Sequence, residues 1–328
     1  MSFQWHLHQF SMQKIRASLS RLFLKQPSTT EALRIEKLEE LQKKHQGKPF
    51  VFDEGNLRFM YFSQKSVQSA MRINAPDELL CGYTSAMLAF LLANPAPQHI
   101  LMIGLGGGSL VKFCHRHLPD CRITALEIDA DVIALREQFM IPADDDRLEI
   151  IHADAITYLK QHTLQVDVIL LDGFDINGLA EELNTMSFYA ACHKALKPHG
   201  ILVANMWGNR RQLVSLITDL RTQFEQRVWW CRSLDSYNLL VFSFKPEAEI
   251  FTNSMSAQAQ ALDQKFALKF TELSTQMRSL HIPSSNKFNA KEDYEIKELA
   301  RLTTEMAELM VTDEKLASGD VEWSEIHQ

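Results

Sequence analysis

Five short apolar runs, HILMI, RITALEI, LEII, VDVILLD and GILVANMW, alternate with stretches of helical spacing between residues 98 and 207. Few chains with that alternation have a choice of fold. Each run is too short for a buried helix and is flanked by residues repeating at 3.6-residue spacing, so strand, helix and strand follow one another as crossover units. Parallel strands joined in this way are covered by helices on both faces, which is why their runs are apolar throughout instead of alternating with polar residues. Farther on, VWWCRSL and NLLVFSF are joined through Asp235, Ser236 and Tyr237 and read as a closing antiparallel pair at the sheet edge. Five runs and this pair make seven strands, so the expected fold is α/β, with a doubly wound, mostly parallel seven-stranded sheet.

The flanking sequence divides around that core. Residues 1 to 48 carry Ile15, Leu19, Leu22 and Phe23, then Leu33, Ile35, Leu38 and Leu41, at helical spacing around a break at Gln26-Pro27-Ser28, which predicts two helices. Residues 49 to 95 form a small β-region of two or three antiparallel strands, turning at Glu54-Gly55-Asn56, followed by a linking helix over Asp77 to Leu92. The main unit occupies 96 to 246. From 247 to 328 the composition shifts to Ala, Gln, Ser, Lys and Glu, with Phe266, Leu268, Phe270, Leu273 and Met277 as sparse apolar positions and a turn at Pro283-Ser284-Ser285. This segment is expected to be a helical extension.

A formal charge of -7 supplies no general attraction to nucleic acid, and the basic residues Lys14, Arg16, Arg21 and Lys25 read as a solvated helix face. No stretch approaches the roughly 20 apolar residues of a membrane span. The opening MSFQWHLHQF has no secretory pattern, and Cys81, Cys114, Cys121, Cys192 and Cys231 are scattered and odd in number. A cytoplasmic protein without disulfides or a structural metal is expected. His115 and His117 stand two apart on a helix, point in different directions and make a poor metal pair.

Gly104, Gly106, Gly107 and Gly108 follow the first run directly and open the helical stretch SLVKFCHRHL. Glycine lets a ligand approach the backbone closely, and the helix start behind it offers free N–H groups. Glu127 ends the second run about twenty residues later, where a carboxylate accepts hydrogen bonds from both hydroxyls of a ribose. Asp154 and Ala155 follow the third run; this Asp serves equally as a helix cap or as an acceptor for an adenine amino group. Nicotinamide dehydrogenases and S-adenosylmethionine enzymes share this layout, and the antiparallel ending favours the second, with a Rossmann-like methyltransferase fold. Asp172 ends the fourth run and Asp175 follows in the same Leu171-Asp172-Gly173-Phe174-Asp175 segment, so both should face the same crevice, where paired carboxylates hold an amine and take its proton. Asn205, at the end of the fifth run, lies near that crevice, while Trp207, Trp229 and Trp230 serve as core packing or as walls of an acceptor pocket.

Residues 50 to 245 resemble the spermidine synthase family of polyamine aminopropyltransferases, in the small β-region, the glycine loop, the Glu-Ile-Asp after strand two, the acid after strand three and a D-x-x-D after strand four. The resemblance implies decarboxylated S-adenosylmethionine as donor, a polyamine or other amine as acceptor, methylthioadenosine as by-product and association into a homodimer through the β-region. It assigns Glu127 to the ribose, Asp154 to the adenine, Asp172 to the base and Asp175 to the acceptor amine, with Gln68 and Tyr83 in the donor site. The sequence departs from the family at Gly107, where an Asp normally contacts the donor ammonium, and at Ile176, where a proline normally follows the second Asp. Gly107 favours intact S-adenosylmethionine and small-molecule methyl transfer as the alternative; a catalytically silent nucleoside-binding or scaffold protein is the third possibility.

Overall fold

The computed structural model describes residues 29–63, 66–175, 178–206, 210–236, 238–251 and 255–279. The first expected N-terminal helix and the turn at Pro283 lie outside them. Helix α1 (Thr29–His45) collects Lys43, Lys44 and His45 in its last turn, where the helix dipole favours positive charge. Strands β1 (Phe50–Glu54), β2 (Leu57–Ser63) and β3 (Ser66–Arg72) form an antiparallel meander. Leu38 of α1 packs onto its face with Phe50, Phe52, Phe59, Tyr61 and Ala70.

The linking helix begins later than its sequence suggests. Only Gly82–Met87 is α-helical (α2), continued by a 3-10 turn over Leu88–Leu92. The acidic residues expected to open it are drawn elsewhere: Asp77 pairs with Arg116 at 3.0 Å and Glu78 accepts from Arg72 at 2.5 Å. The helix starts instead where Asp235, 153 residues farther along the chain, accepts the Gly82 N–H at 2.9 Å.

The main unit then runs β4 (His99–Ile103), α3 (Ser109–His117), β5 (Arg122–Glu127), α4 (Ala130–Ile133), β6 (Leu148–His152), α5 (Ala155–Gln161) and β7 (Val166–Leu171). A two-residue hairpin, β8 (Phe174–Asp175) with β9 (Gly178–Leu179), precedes α6 (Met186–Ala195), β10 (Leu196–Met206), α7 (Arg210–Gln223), β11 (Val228–Arg232) and β12 (Leu239–Phe244). The sheet order is β11-β12-β10-β7-β4-β5-β6, with an eighth strand beside β11, parallel from β10 to β6 and antiparallel through β12 and β11.

The eighth strand, β13 (Arg278–Ser279), belongs to the C-terminal extension and pairs with Trp229 and Trp230 of β11. The extension is therefore not only helical. It supplies α8 (Met255–Phe266) and α9 (Phe270–Gln276), which pack on the Leu88–Leu92 turn, and then covers part of the β11 edge.

Alternate residues of the central strands enter two different cores. Ile100, Met102, Val168 and Leu170 face one side with α3 and α8, and Leu101, Ile103, Ile169 and Leu171 face the other with α5, α6 and α7. Each such side chain contributes about 1.5 to 3 kcal/mol by leaving water, so any register slip would be opposed from both faces. Among the described residues no helix is long and apolar enough to cross a membrane.

Candidate active site

From β4 the chain crosses outward to β5 and β6, then returns over β4 to β7 and β10. This reversal opens a crevice beyond the carboxyl ends of β4 and β7, the position where open α/β sheets take ligands. The glycine loop and Asp172 leave the sheet side by side there. Gly104 has φ +97°, and a β-carbon on it would overlap the Asp172 carbonyl, so only glycine permits the two backbones to meet. Asp172 donates its N–H to Ile103 at 2.9 Å, fixing the contact.

Glu127, at the end of β5, is buried and stitches this loop to its neighbour. Its Oε2 accepts the Leu105 N–H and its Oε1 the Asp129 N–H, both at 2.9 Å. Each oxygen keeps a further lone pair for a hydroxyl donor. Gly107 donates its N–H to Ser69 Oγ of β3 at 2.9 Å, an anchor from the N-terminal sheet that no motif singles out. A β-carbon at Gly107 would lie 2.8 Å from the Phe139 ring and 2.9 Å from Ser69 Cβ, and one at Gly108 would lie 2.6 Å from Ile141. The segment carrying Phe139 and Ile141 is held by buried Lys112, whose ammonium donates to the Phe139 carbonyl at 2.9 Å and whose pKa burial lowers to about 8. Glycine at 107 is thus a consequence of packing.

Asp154 takes up the capping role that its position left open. Its carboxylate accepts from Ile156 N–H at 3.2 Å, Thr157 N–H at 3.1 Å and the Thr157 hydroxyl at 2.6 Å, and these bonds, Thr157 Oγ1 foremost, hold its pKa below the usual carboxylate range. Ala155 is buried beneath it. Gln68 stands where β3 slips register: Met60 pairs with Ser69 but Tyr61 with Val67, leaving Gln68 as the extra residue. Such a bulge re-aims a side chain and is common beside active sites.

Asp172 is the chemically distinctive group. Asn205 Nδ2 donates to its Oδ1 at 2.9 Å, and the Tyr83 hydroxyl lies 3.4 Å from its Oδ2. Burial pushes its carboxyl up to about 6, against the lowering effect of those two hydrogen bonds. A carboxylate so placed exchanges a proton near neutral pH. The backbone sets Asp175 in β8, opposite Gly178. Asn205, read from sequence as near the crevice, is buried and holds Asp172 directly. Trp229 packs edge-on against Phe251 and Trp230 against the second core; Trp207 lies outside the described residues.

Among the described residues no group of three or more His, Cys, Asp or Glu could hold a metal ion. His115 pairs with Asp145 at 2.8 Å, while His117 packs on Phe113 and lies 3.5 Å from Asp77. All five cysteines are buried; burial raises the thiols of Cys114, Cys121, Cys192 and Cys231, and such thiols are poor nucleophiles.

The spermine/spermidine synthase domain, as a family profile, matches residues 81–237. The polyamine aminopropyltransferase of Chromobacterium violaceum is 35% identical over 230 residues, covering 70% of this chain and 88% of that one. That of Neisseria meningitidis is 36% identical over 223 residues, covering 67% of this chain and 85% of that one. A probable spermidine synthase from Corynebacterium glutamicum shares the fold, with a TM-score of 0.57 over 74% of this chain and 95% of that one at 18% identity.

Proposed function

The chain belongs to the spermidine synthase family of polyamine aminopropyltransferases, and we propose that it is a transferase moving an aminopropyl group from decarboxylated S-adenosylmethionine to an amine or polyamine acceptor. The observation that supports this best is Asp172: a half-buried carboxyl raised to about 6, at the rim where it touches the glycine loop. The acceptor nitrogen attacks the methylene carbon next to the sulfonium, the C–N bond forms as the C–S bond breaks, and methylthioadenosine leaves. Asp172 takes the proton that the nitrogen sheds, and Asp175 anchors the acceptor's other ammonium. The protein's part is largely to bring donor and acceptor into line.

In this reading Glu127 binds the ribose through its remaining lone pairs, and Asp154 accepts from the adenine amino group while still capping α5. Gly104 and Gly106 admit the donor to the backbone, Gly107 and Gly108 let the loop pack closely behind it on Ser69, Phe139 and Ile141, and Gln68 and Tyr83 line its aminopropyl end. Gly107 favours a competing reading, methyl transfer from intact S-adenosylmethionine, since no carboxylate stands at that position to balance a lone ammonium. The N-terminal sheet would join two copies, which sedimentation would report as a dimer.

The test is to incubate the protein with putrescine and each donor separately and identify the nucleoside product. Methylthioadenosine is expected, from the decarboxylated donor. S-adenosylhomocysteine from the intact donor would replace this function with methyl transfer, and failure of both donors to bind would leave a scaffold.

A further inference from the structure

Among the described residues Asp172 receives two side-chain partners from separate parts of the fold, yet both lead back to one short connection. The chain between β11 and β12 is closed by the Ser233 N–H donating to the Asn238 carbonyl at 2.9 Å. From one side of it Asn238 Nδ2 donates to Asn205 Oδ1 at 2.9 Å, and Ser236 Oγ donates to Asn238 Oδ1 at 2.8 Å. With Asn205 Nδ2 on Asp172 Oδ1, the three bonds run in one direction from a hydroxyl to the carboxylate. From the other side Asp235 Oδ2 accepts the Gly82 N–H at 2.9 Å while Asp235 Oδ1 accepts the Ser233 hydroxyl at 2.8 Å. A β-carbon on Gly82 would overlap that carboxylate, so the approach is close by construction. The next residue is Tyr83, which faces Asp172 Oδ2.

The direction of the first arm matters. An amide can be turned so that it either donates to a carboxylate or accepts from a carboxylic acid. Asn238 occupies the Asn205 oxygen with a donor, which keeps the Asn205 N–H pointed at Asp172 and favours the ionised form against burial. The second arm fixes the first turn of α2, and with it the distance of the Tyr83 hydroxyl. Among the described residues, the side chains meeting the Asp172 carboxyl are Asn205 of β10 and Tyr83 of α2, with the Asp235 side chain behind the latter.

We infer that Asn238 and Asp235 are positioning residues for the reaction: the β11–β12 connection holds Asn205 and Tyr83 against the two oxygens of Asp172 and so sets the orientation and protonation of that carboxyl. The inference rests on the reading of Asp172 as the base.

The test uses the full chain with the decarboxylated donor and putrescine, in Asn238→Asp, Asn238→Ser, Asp235→Ala, Asp235→Asn and, as reference, Asp172→Asn. Each of Asn238→Asp, Asn238→Ser and Asp235→Ala should lower kcat roughly tenfold, the scale of one misdirected buried hydrogen bond. Affinity for methylthioadenosine should stay within about twofold of wild type, since binding lies at the other rim. In both Asn238 variants the acid limb of the kcat profile should move to higher pH, because Asp172 loses the bond that favours its charge. Asp235→Asn keeps an oxygen on the Gly82 N–H and should recover part of what Asp235→Ala loses. Wild-type kcat and pH profile in the Asn238 and Asp235 variants, with Asp172→Asn inactive, would overturn the inference alone. Methylthioadenosine affinity falling in step with kcat would also overturn it, by making these residues supports of the fold. An active Asp172→Asn enzyme would remove the base assignment itself, which is a separate outcome.

Discussion

The two walls of the crevice are built by different means. On the β4–β5 side the backbone does the work: the glycine loop is held by Glu127 through Leu105, a separation of 22 residues, and by the overlap that forbids any side chain at Gly104. On the β7–β10 side the contacts at the acid are between side chains, with Asn205 reaching Asp172 across 33 residues and Tyr83 across 89, while behind Tyr83 the Asp235 carboxylate reaches the Gly82 N–H across 153. A backbone-built cradle suits a nucleoside, which is recognised by shape and a few fixed hydrogen bonds. A side-chain network around a half-buried acid suits proton transfer, because its partners tune the charge. The difference predicts that damage on one wall changes binding and damage on the other changes turnover.

The largest effect should come from Asp172→Asn, which removes the base while leaving the shape. Turnover should fall at least about a hundredfold, with methylthioadenosine affinity nearly intact by calorimetry. Turnover near wild type would collapse the distinction between the walls. The same substitution has a stability signature. Burial raises the folded carboxyl to about 6 from its ordinary 3.8, so the folded protein holds this proton at pH values where the unfolded chain has lost it. The carboxyl's contribution to stability is therefore complete below about pH 4 and is lost as pH rises through about 6, amounting to about 3 kcal/mol at neutral pH. Asp172→Asn should melt higher than wild type at pH 8, with the gap closing near pH 4; a constant gap would mean that the carboxyl is not desolvated in the folded protein.

The same contrast explains what could be read from the sequence. The parallel sheet, the glycine loop and Glu127 all follow from local order, since a strand, a turn and a helix start lie within a single crossover unit. Asp172 was legible as a strand-end acid. Asn205 was legible only as a neighbour of the crevice, because nothing in GILVANMW says that its amide turns toward β7 and not toward an acceptor. Ser69, Asp235 and Asn238 carried no signal: each is a common polar residue in an ordinary turn or strand, and its partner lies in another part of the chain. The late start of α2 has the same origin, a cap supplied by tertiary contact in place of the local Asp77. The strand β13 was hidden for a different reason, since two residues, Arg278 and Ser279, are too few to show a period.

On the cradle side, Glu127→Gln is the sharper probe. Both oxygens of the carboxylate accept backbone N–H groups at 2.9 Å, and a glutamine offers one oxygen and one NH2, so one of these donors must face another donor. The loop and the ribose site should loosen together, costing about 1 to 3 kcal/mol of nucleoside affinity. With saturating donor, kcat should change far less than KM. An unchanged affinity would take Glu127 out of the cradle, and a loss confined to kcat would assign it to the opposite wall.

The smallest expected effect tests whether one residue does two jobs. Asp154 caps α5 with both oxygens, and the proposed adenine contact would use lone pairs left over. Asp154→Ala should lower stability by about 1 kcal/mol, the usual cost of a lost cap, and should weaken methylthioadenosine binding as well. Asp154→Ser restores a capping oxygen but has no second one to offer the adenine. If the residue only caps, serine should recover the melting temperature and the affinity together. If it also receives the adenine amino group, serine should recover the first without the second, and calorimetry at matched stability would separate the two by roughly one hydrogen bond, about 0.5 to 1.5 kcal/mol.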